Sequence, residues 1–126
     1  MTNIDSYTHT RGESIYLDDI PVLTGTLYGA VFASPEAHGK ILNLDLATAL
    51  ALSGVVRILT YKDIPGINQI GGIVPDEVLL AEDEVHYNGM PIAFVIAESQ
   101  EIAYEAVRLI SIKIEPLPVI TDPRIA

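Results

Sequence analysis

Pro91-Ile92-Ala93-Phe94-Val95-Ile96-Ala97, then Glu98-Ser99-Gln100-Glu101-Ile102-Ala103-Tyr104-Glu105-Ala106-Val107-Arg108-Leu109-Ile110, then Ser111-Ile112-Lys113-Ile114-Glu115, holds one full strand, helix, strand unit. The first seven residues form a continuous, partly β-branched apolar run, which suits a strand covered on both faces and central in its sheet. Ser99 is placed to cap a helix start, with Gln100 and Glu101 in the first turn. Ile102, Ala106 and Ile110 recur at i, i+4 and i+8 beside Ala103 and Val107, the stripe of an amphipathic helix. Ile112 to Glu115 alternates as a strand does, and Pro116 and Pro118 end it.

Working outward from this unit, Leu27 to Ser34 reads as a strand between Thr24-Gly25 and Pro35. Lys40 to Leu46 alternates, with Ile41, Asn43 and Asp45 on one side and Leu42, Leu44 and Leu46 on the other. Ala47 to Ser53 is a short helix, with Asp45 placed to cap its start and Gly54 placed to take a left-handed conformation at its end. Val55 to Thr60 returns to strand character. Thr60 to Asp63 begins one helical turn that Pro65-Gly66 stops. From Gly66 to Glu84, Gly, Asn, Pro and Asp recur at short intervals, which predicts a long loop suited to contact or function. Helices placed singly between strands predict an α+β domain, a mixed sheet flanked by one long and one short helix.

The length of 126 residues fits one domain. Residues 1–11 are polar and read as a flexible N-terminal arm, with the domain covering 12–126. They lack the apolar run of a secretory signal, and no apolar stretch approaches the ~20 residues of a spanning helix, so the expectation is a cytoplasmic protein.

Hydrophobic residues make up 49% of the chain and charged residues 19%, so polar cover is thin and some apolar surface is expected to meet a partner. The 17 Asp and Glu against 7 Lys and Arg give a net charge of -10. That sign disfavours nucleic acid and anionic membrane surfaces as partners. The absence of cysteine excludes disulfides, thiolate metal sites, cysteine-ligated iron–sulfur clusters and cysteine nucleophiles within this chain.

The remaining candidates for chemistry have bland readings. His9, His38 and His86 show no spacing of three or four on a helix, so each is expected to be a solvated or hydrogen-bonded histidine. Asp18 and Asp19 are adjacent and point apart on an extended chain, which favours turn hydrogen bonds over paired-carboxylate catalysis. Asp76, Glu77, Glu82, Asp83 and Glu84 form an acidic stretch without EF-hand spacing, read as a solvated loop. Gly71-Gly72 lacks the Lys-Ser or Lys-Thr of a phosphate loop. Ser34, Ser53, Ser99 and Ser111 lack a nucleophile-elbow context.

Read as longer phrases, the chain resembles a known family. Gly12-Glu13-Ser14-Ile15-Tyr16-Leu17-Asp18-Asp19-Ile20-Pro21, Gly25-Thr26-Leu27-Tyr28-Gly29-Ala30 and Ser34-Pro35-Glu36-Ala37-His38-Gly39-Lys40-Ile41 carry the likeness in the first half. Leu44-Asp45, Gly54-Val55-Val56, Leu59-Thr60-Tyr61-Lys62-Asp63-Ile64-Pro65-Gly66, Leu80-Ala81, Val85-His86-Tyr87-Asn88-Gly89-Met90-Pro91 and Ile114-Glu115-Pro116-Leu117-Pro118 carry it through the second. In order and spacing they resemble the α/β hammerhead domain that opens the molybdopterin-binding large subunit of the xanthine dehydrogenase and aldehyde oxidase family. Two positions depart from that pattern: Met90 stands where the family commonly has Gln, and Ser53 where it often has Pro.

The resemblance implies a non-catalytic structural domain of a molybdenum-cofactor-dependent oxidoreductase that hydroxylates purines, related heterocycles or aldehydes. It also implies that the molybdenum cofactor, iron–sulfur clusters and FAD are held by other domains or subunits, which would be the partners. No catalytic, cofactor-binding or metal-binding residue of the family maps onto this chain. Two other readings remain at this point: a stand-alone interaction or assembly module without enzyme activity, and a module that takes a cation on the loop from Asp76 to Glu84.

Overall fold

The computed structural model describes residues 5–124. The first four residues of the expected arm, and Ile125 and Ala126, lie outside the described residues. In chain order the elements are α1 (Ser6–Thr10), β1 (Tyr28–Ala33), β2 (Gly39–Asp45), α2 (Ala47–Leu50), β3 (Val55–Leu59), β4 (Glu84–Val85), β5 (Pro91–Ala97), α3 (Gln100–Leu109) and β6 (Ser111–Pro116). Single 3-10 turns occupy Leu17–Asp19 and Tyr61–Asp63. No helix among the described residues is long and apolar enough to cross a membrane.

The α+β class is as read from the sequence, but the strands do not make one mixed sheet. They form two three-stranded sheets, ordered β1-β5-β3 and β4-β2-β6, and each pairing is antiparallel. Alternation shows which side of a strand is buried and leaves the neighbour undetermined. Here the neighbours are distant in sequence: β1 and β3 flank β5, while β2 takes β6 along its length.

The central position expected for Pro91 to Ala97 is the observed one. Ala93, Val95 and Ala97 are fully buried on one face, where α3 lies across the sheet. The contact is lined by small residues, Ala30, Ala97 and Ala103, which let the helix backbone approach closely. On the opposite face Ile92 is buried while Phe94 and Ile96 are only half-buried, so the two-sided coverage suggested by the unbroken apolar run holds only at the start of the strand.

The cap of α3 is formed as expected, whereas Leu46 rather than Asp45 holds the N-cap position of α2 and Gly54 lies beyond that helix's C-cap, Ala51. Ser99 accepts the Ile102 N–H at 3.3 Å at the start of α3, and Asp45 accepts the Ala47 N–H at 2.9 Å at the start of α2. Gly54 has φ 89°, the left-handed conformation that glycine adopts without steric cost. The short helix stops at Leu50, ahead of the expected Ser53.

A register shift between Ile41 and Asn43 changes the phase of β2. Ile41 and Leu44 both turn inward and Leu42 is exposed, whereas strict alternation put Ile41 with Asn43 and Leu42 with Leu44. An extra residue on one strand produces this switch of face. Ile41 and Leu44 then pack with Ile112 and Ile114 on Val85, Met90 and Ile92, a second core cluster beneath the β4-β2-β6 sheet.

Candidate functional site

Three chain segments meet at the end of the second sheet where β2 begins and where β4 and β6 finish, since Gly39 pairs with both Val85 and Pro116. His38 precedes β2, His86 follows β4, and Leu117-Pro118 leaves β6. Two turns fix these approaches. The buried Ser34 donates its N–H to the Met90 carbonyl at 2.9 Å and accepts the Gly89 N–H at 2.9 Å. Its hydroxyl accepts the Glu36 N–H at 3.1 Å and donates to the Glu36 carbonyl at 2.8 Å. The Asn88 amide donates to the Pro35 carbonyl at 2.7 Å, closing the same joint from the other side.

Within this frame, His38 Nδ1 lies 2.8 Å from the Pro118 carbonyl oxygen and Nε2 lies 2.8 Å from Glu84 Oε1. A carbonyl and a carboxylate both only accept, so both ring nitrogens donate and the imidazolium form is favoured. The Pro118 hydrogen bond, followed by that of Glu84, raises the His38 pKa above its ordinary value. Chiefly through the His38 hydrogen bond, the Glu84 carboxyl is held below the usual carboxylate range. His86 Nδ1 stands 3.6 Å from the same Glu84 oxygen, and the two imidazole rings are tilted by 34° with centroids 6.0 Å apart.

Sequence reasoning treated His38, Glu84 and His86 separately, and the structure brings them together. Their potential ligand atoms all lie within 4.8 Å of one another, the one such group of histidine and acidic side chains found among the described residues. One local signal pointed that way: Glu84 and His86 are two apart on an extended chain and so share a face. Nothing local announced His38, which lies 46 residues from Glu84.

The other candidates fall elsewhere. His9 Nδ1 contacts the Ser14 hydroxyl at 2.6 Å and its ring stacks on Tyr16. Asp19 accepts the Tyr16 N–H at 2.9 Å and closes the 3-10 turn leading into Ile20-Pro21, so the turn role expected of the acidic pair is carried by Asp19. Asp76, Glu77, Glu82 and Asp83 are exposed, and Glu82 accepts the Asn68 amide at 2.9 Å. Gly71 accepts the Gln69 amide at 2.8 Å. Ser53 and Ser111 are exposed, while Ser99 caps α3. Met90, the departure from the family pattern, is buried among Ala81, Val85 and Ile92, so an apolar contact stands where a Gln would bring an amide. An open groove of about 400 Å³ lies beside the second sheet, lined by Leu44, Leu46, Tyr61, Lys62, Asp83 and Ile92 among others.

Of the cofactors implied by the resemblance, a cysteine-ligated iron–sulfur cluster does not fit this chain, which has no thiolate to hold one.

Comparison with known proteins bears on the whole chain. Residues 11–118 match the family model described as aldehyde oxidase and xanthine dehydrogenase, a/b hammerhead domain. The chain is 43% identical over 118 residues to xanthine dehydrogenase 1 of Arabidopsis thaliana, covering 94% of this chain and 9% of that protein. It is 42% identical over 122 residues to the xanthine dehydrogenase/oxidase of Gallus gallus, covering 96% of this chain and 9% of that one. Among solved structures, a Cu,Mo-CO dehydrogenase superposes with a TM-score of 0.86 at 31% identity, over 98% of this chain and 16% of that chain. The chain thus spans about a sixth or less of the relatives it matches. With the family model matched over most of its length, the chain belongs to the a/b hammerhead domain family of aldehyde oxidase and xanthine dehydrogenase.

Proposed function

We propose that this chain is a non-catalytic structural domain of a molybdenum-cofactor-dependent oxidoreductase of the xanthine dehydrogenase type, working in the cytoplasm. It packs against the molybdopterin-binding domains of the same large subunit and helps to shape access to their active site. The iron–sulfur and FAD domains or subunits complete the assembly. The parent reaction is hydroxylation of a purine, related heterocycle or aldehyde with oxygen drawn from water. Its redox chemistry is supplied by the molybdenum cofactor held on those other domains, and this chain's own residues contribute surface and support.

The observation that carries this reading is the apolar surface left without cover. Leu17, Leu23, Ile67 and Ile73 are 83%, 80%, 88% and 99% exposed. They lie on the long segments before β1 and between β3 and β4, and the outer face of β1-β5-β3 adds Val31 beside half-buried Phe94. Exposed apolar groups on this scale suit an interface within a larger body.

Two measurements test it. Reading the gene past the Ala126 codon should reveal glycine-rich pterin-binding segments or an adjacent molybdenum hydroxylase gene; a stop codon with no such neighbour would overturn the proposal. The purified chain should carry no molybdenum cofactor and oxidise no hypoxanthine, and turnover by this chain alone would contradict its structural role.

A further inference from the structure

We propose that His38 Nε2, Glu84 Oε1 and His86 Nδ1 form a binding site for one zinc-class divalent cation, which would tie the start of β2 to the end of β4 and the segment following β6.

Two imidazoles with one carboxylate form a three-ligand donor set that zinc accepts, with water filling the fourth position. Donors about 2.0 to 2.2 Å from one tetrahedral ion lie roughly 3.4 Å from each other. The Glu84 oxygen lies 3.6 Å from His86 Nδ1, near that value. It lies 2.8 Å from His38 Nε2, a hydrogen bond that opens as zinc takes the place of the Nε2 proton, which leaves to solvent. The spread of 4.8 Å across the group requires the His86 ring to swing inward, and its side chain is 62% exposed and has room to do so.

His38 is oriented for the task. Its Nδ1–H donates to the Pro118 carbonyl, which fixes the ring plane and directs Nε2 to the shared centre. A metal-ligating histidine ordinarily has this second hydrogen bond. Glu84 is held by the β4 pairing to Lys40, and His86 by the turn whose Asn88 and Gly89 are bonded to Pro35 and Ser34.

The charge around the site is mixed. Lys40 faces the Glu84 carboxylate and opposes a cation. The exposed Glu82 and Asp83 adjoin it in sequence, and the net charge of -10 draws cations toward the molecule as a whole. Two nitrogen donors favour a borderline transition ion over calcium or magnesium, which prefer all-oxygen sites.

The test uses the full chain with zinc chloride in isothermal titration calorimetry, and with cobalt chloride as a spectroscopic probe. One zinc per chain is expected, together with the intense visible bands of four-coordinate cobalt. His86→Ala and Glu84→Gln should each weaken binding by more than the roughly 10- to 100-fold that loss of an outer-shell partner costs, whereas His9→Ala should bind as the parent does. Far-UV circular dichroism checks that each variant is folded, and His86→Ala is the decisive one because its exposed ring makes no core contact. Absence of zinc binding, or zinc binding unchanged in folded His86→Ala, would overturn the proposal.

Discussion

The Asn88 side-chain amide donates a 2.7 Å hydrogen bond to the backbone carbonyl of Pro35, 53 residues earlier in the chain. The two residues belong to different turns, and the bond joins the approach to β2 with the approach to β5 beside the His38, Glu84 and His86 group. Replacing Asn88 with Ala removes one hydrogen bond at a solvent-exposed position, which costs about 0.5 to 1.5 kcal/mol. Urea denaturation of Asn88→Ala should show a lower midpoint with an unchanged slope.

Gly29 in β1 lies against the Phe94 ring on β5, so a Cβ at position 29 would collide with that ring. Gly29→Ala should therefore displace Phe94 and destabilise the domain by about 1 to 3 kcal/mol, the usual cost of overpacking. A Gly29→Ala, Phe94→Leu double variant should recover part of that loss in the same denaturation assay.

Asp63 is held below the ordinary carboxylate pKa, first by the Thr60 backbone N–H and then by the Arg57 guanidinium. The corresponding bonds are 2.9 Å and 2.8 Å. A depressed folded-state pKa contributes stability that is present above the unfolded value and lost as pH falls through the folded value. The wild type should accordingly lose its advantage over Asp63→Asn in that acidic window. Carboxyl chemical shifts in Arg57→Ala should show the Asp63 pKa moving part of the way back, because the backbone bond remains.

The exposed Leu17, Leu23, Ile67 and Ile73 make few native contacts in this chain, so replacing each with Ser should leave the unfolding free energy within about 0.5 kcal/mol of the parent. The same replacements should reduce binding of a hydrophobic dye and raise solubility. If the proposed role holds, they should also prevent association with the molybdopterin-binding domains, measured by co-elution after joint expression.

Much of this architecture was readable from the residues, in particular wherever a local rule and a tertiary contact agree. Ser99 announces a helix start that depends on backbone geometry within a few residues and caps α3 as its chemistry suggests. Gly54 takes the left-handed conformation expected of it, though beyond the end of α2 rather than at it. The division into two sheets was hidden because pairing is decided between distant segments, as β2 with β6 illustrates. The inward turn of Ile41 was hidden for another reason: an irregularity in register leaves no mark in a string of alternating residues. The same distinction holds at the candidate site. Glu84 and His86 share a face by their spacing, but His38 joins them only because Gly39 is paired to both Val85 and Pro116.

The placement of β5 between β1 and β3 also governs how the domain can be made. Both flanking strands emerge earlier from the ribosome, yet neither pairs with the other, and each must wait for residues 91–97 before its backbone groups are matched. Closing so wide a span costs chain entropy before any contact rewards it. During synthesis, therefore, β1 and β3 remain unpaired edges open to misassociation until that later segment has been translated.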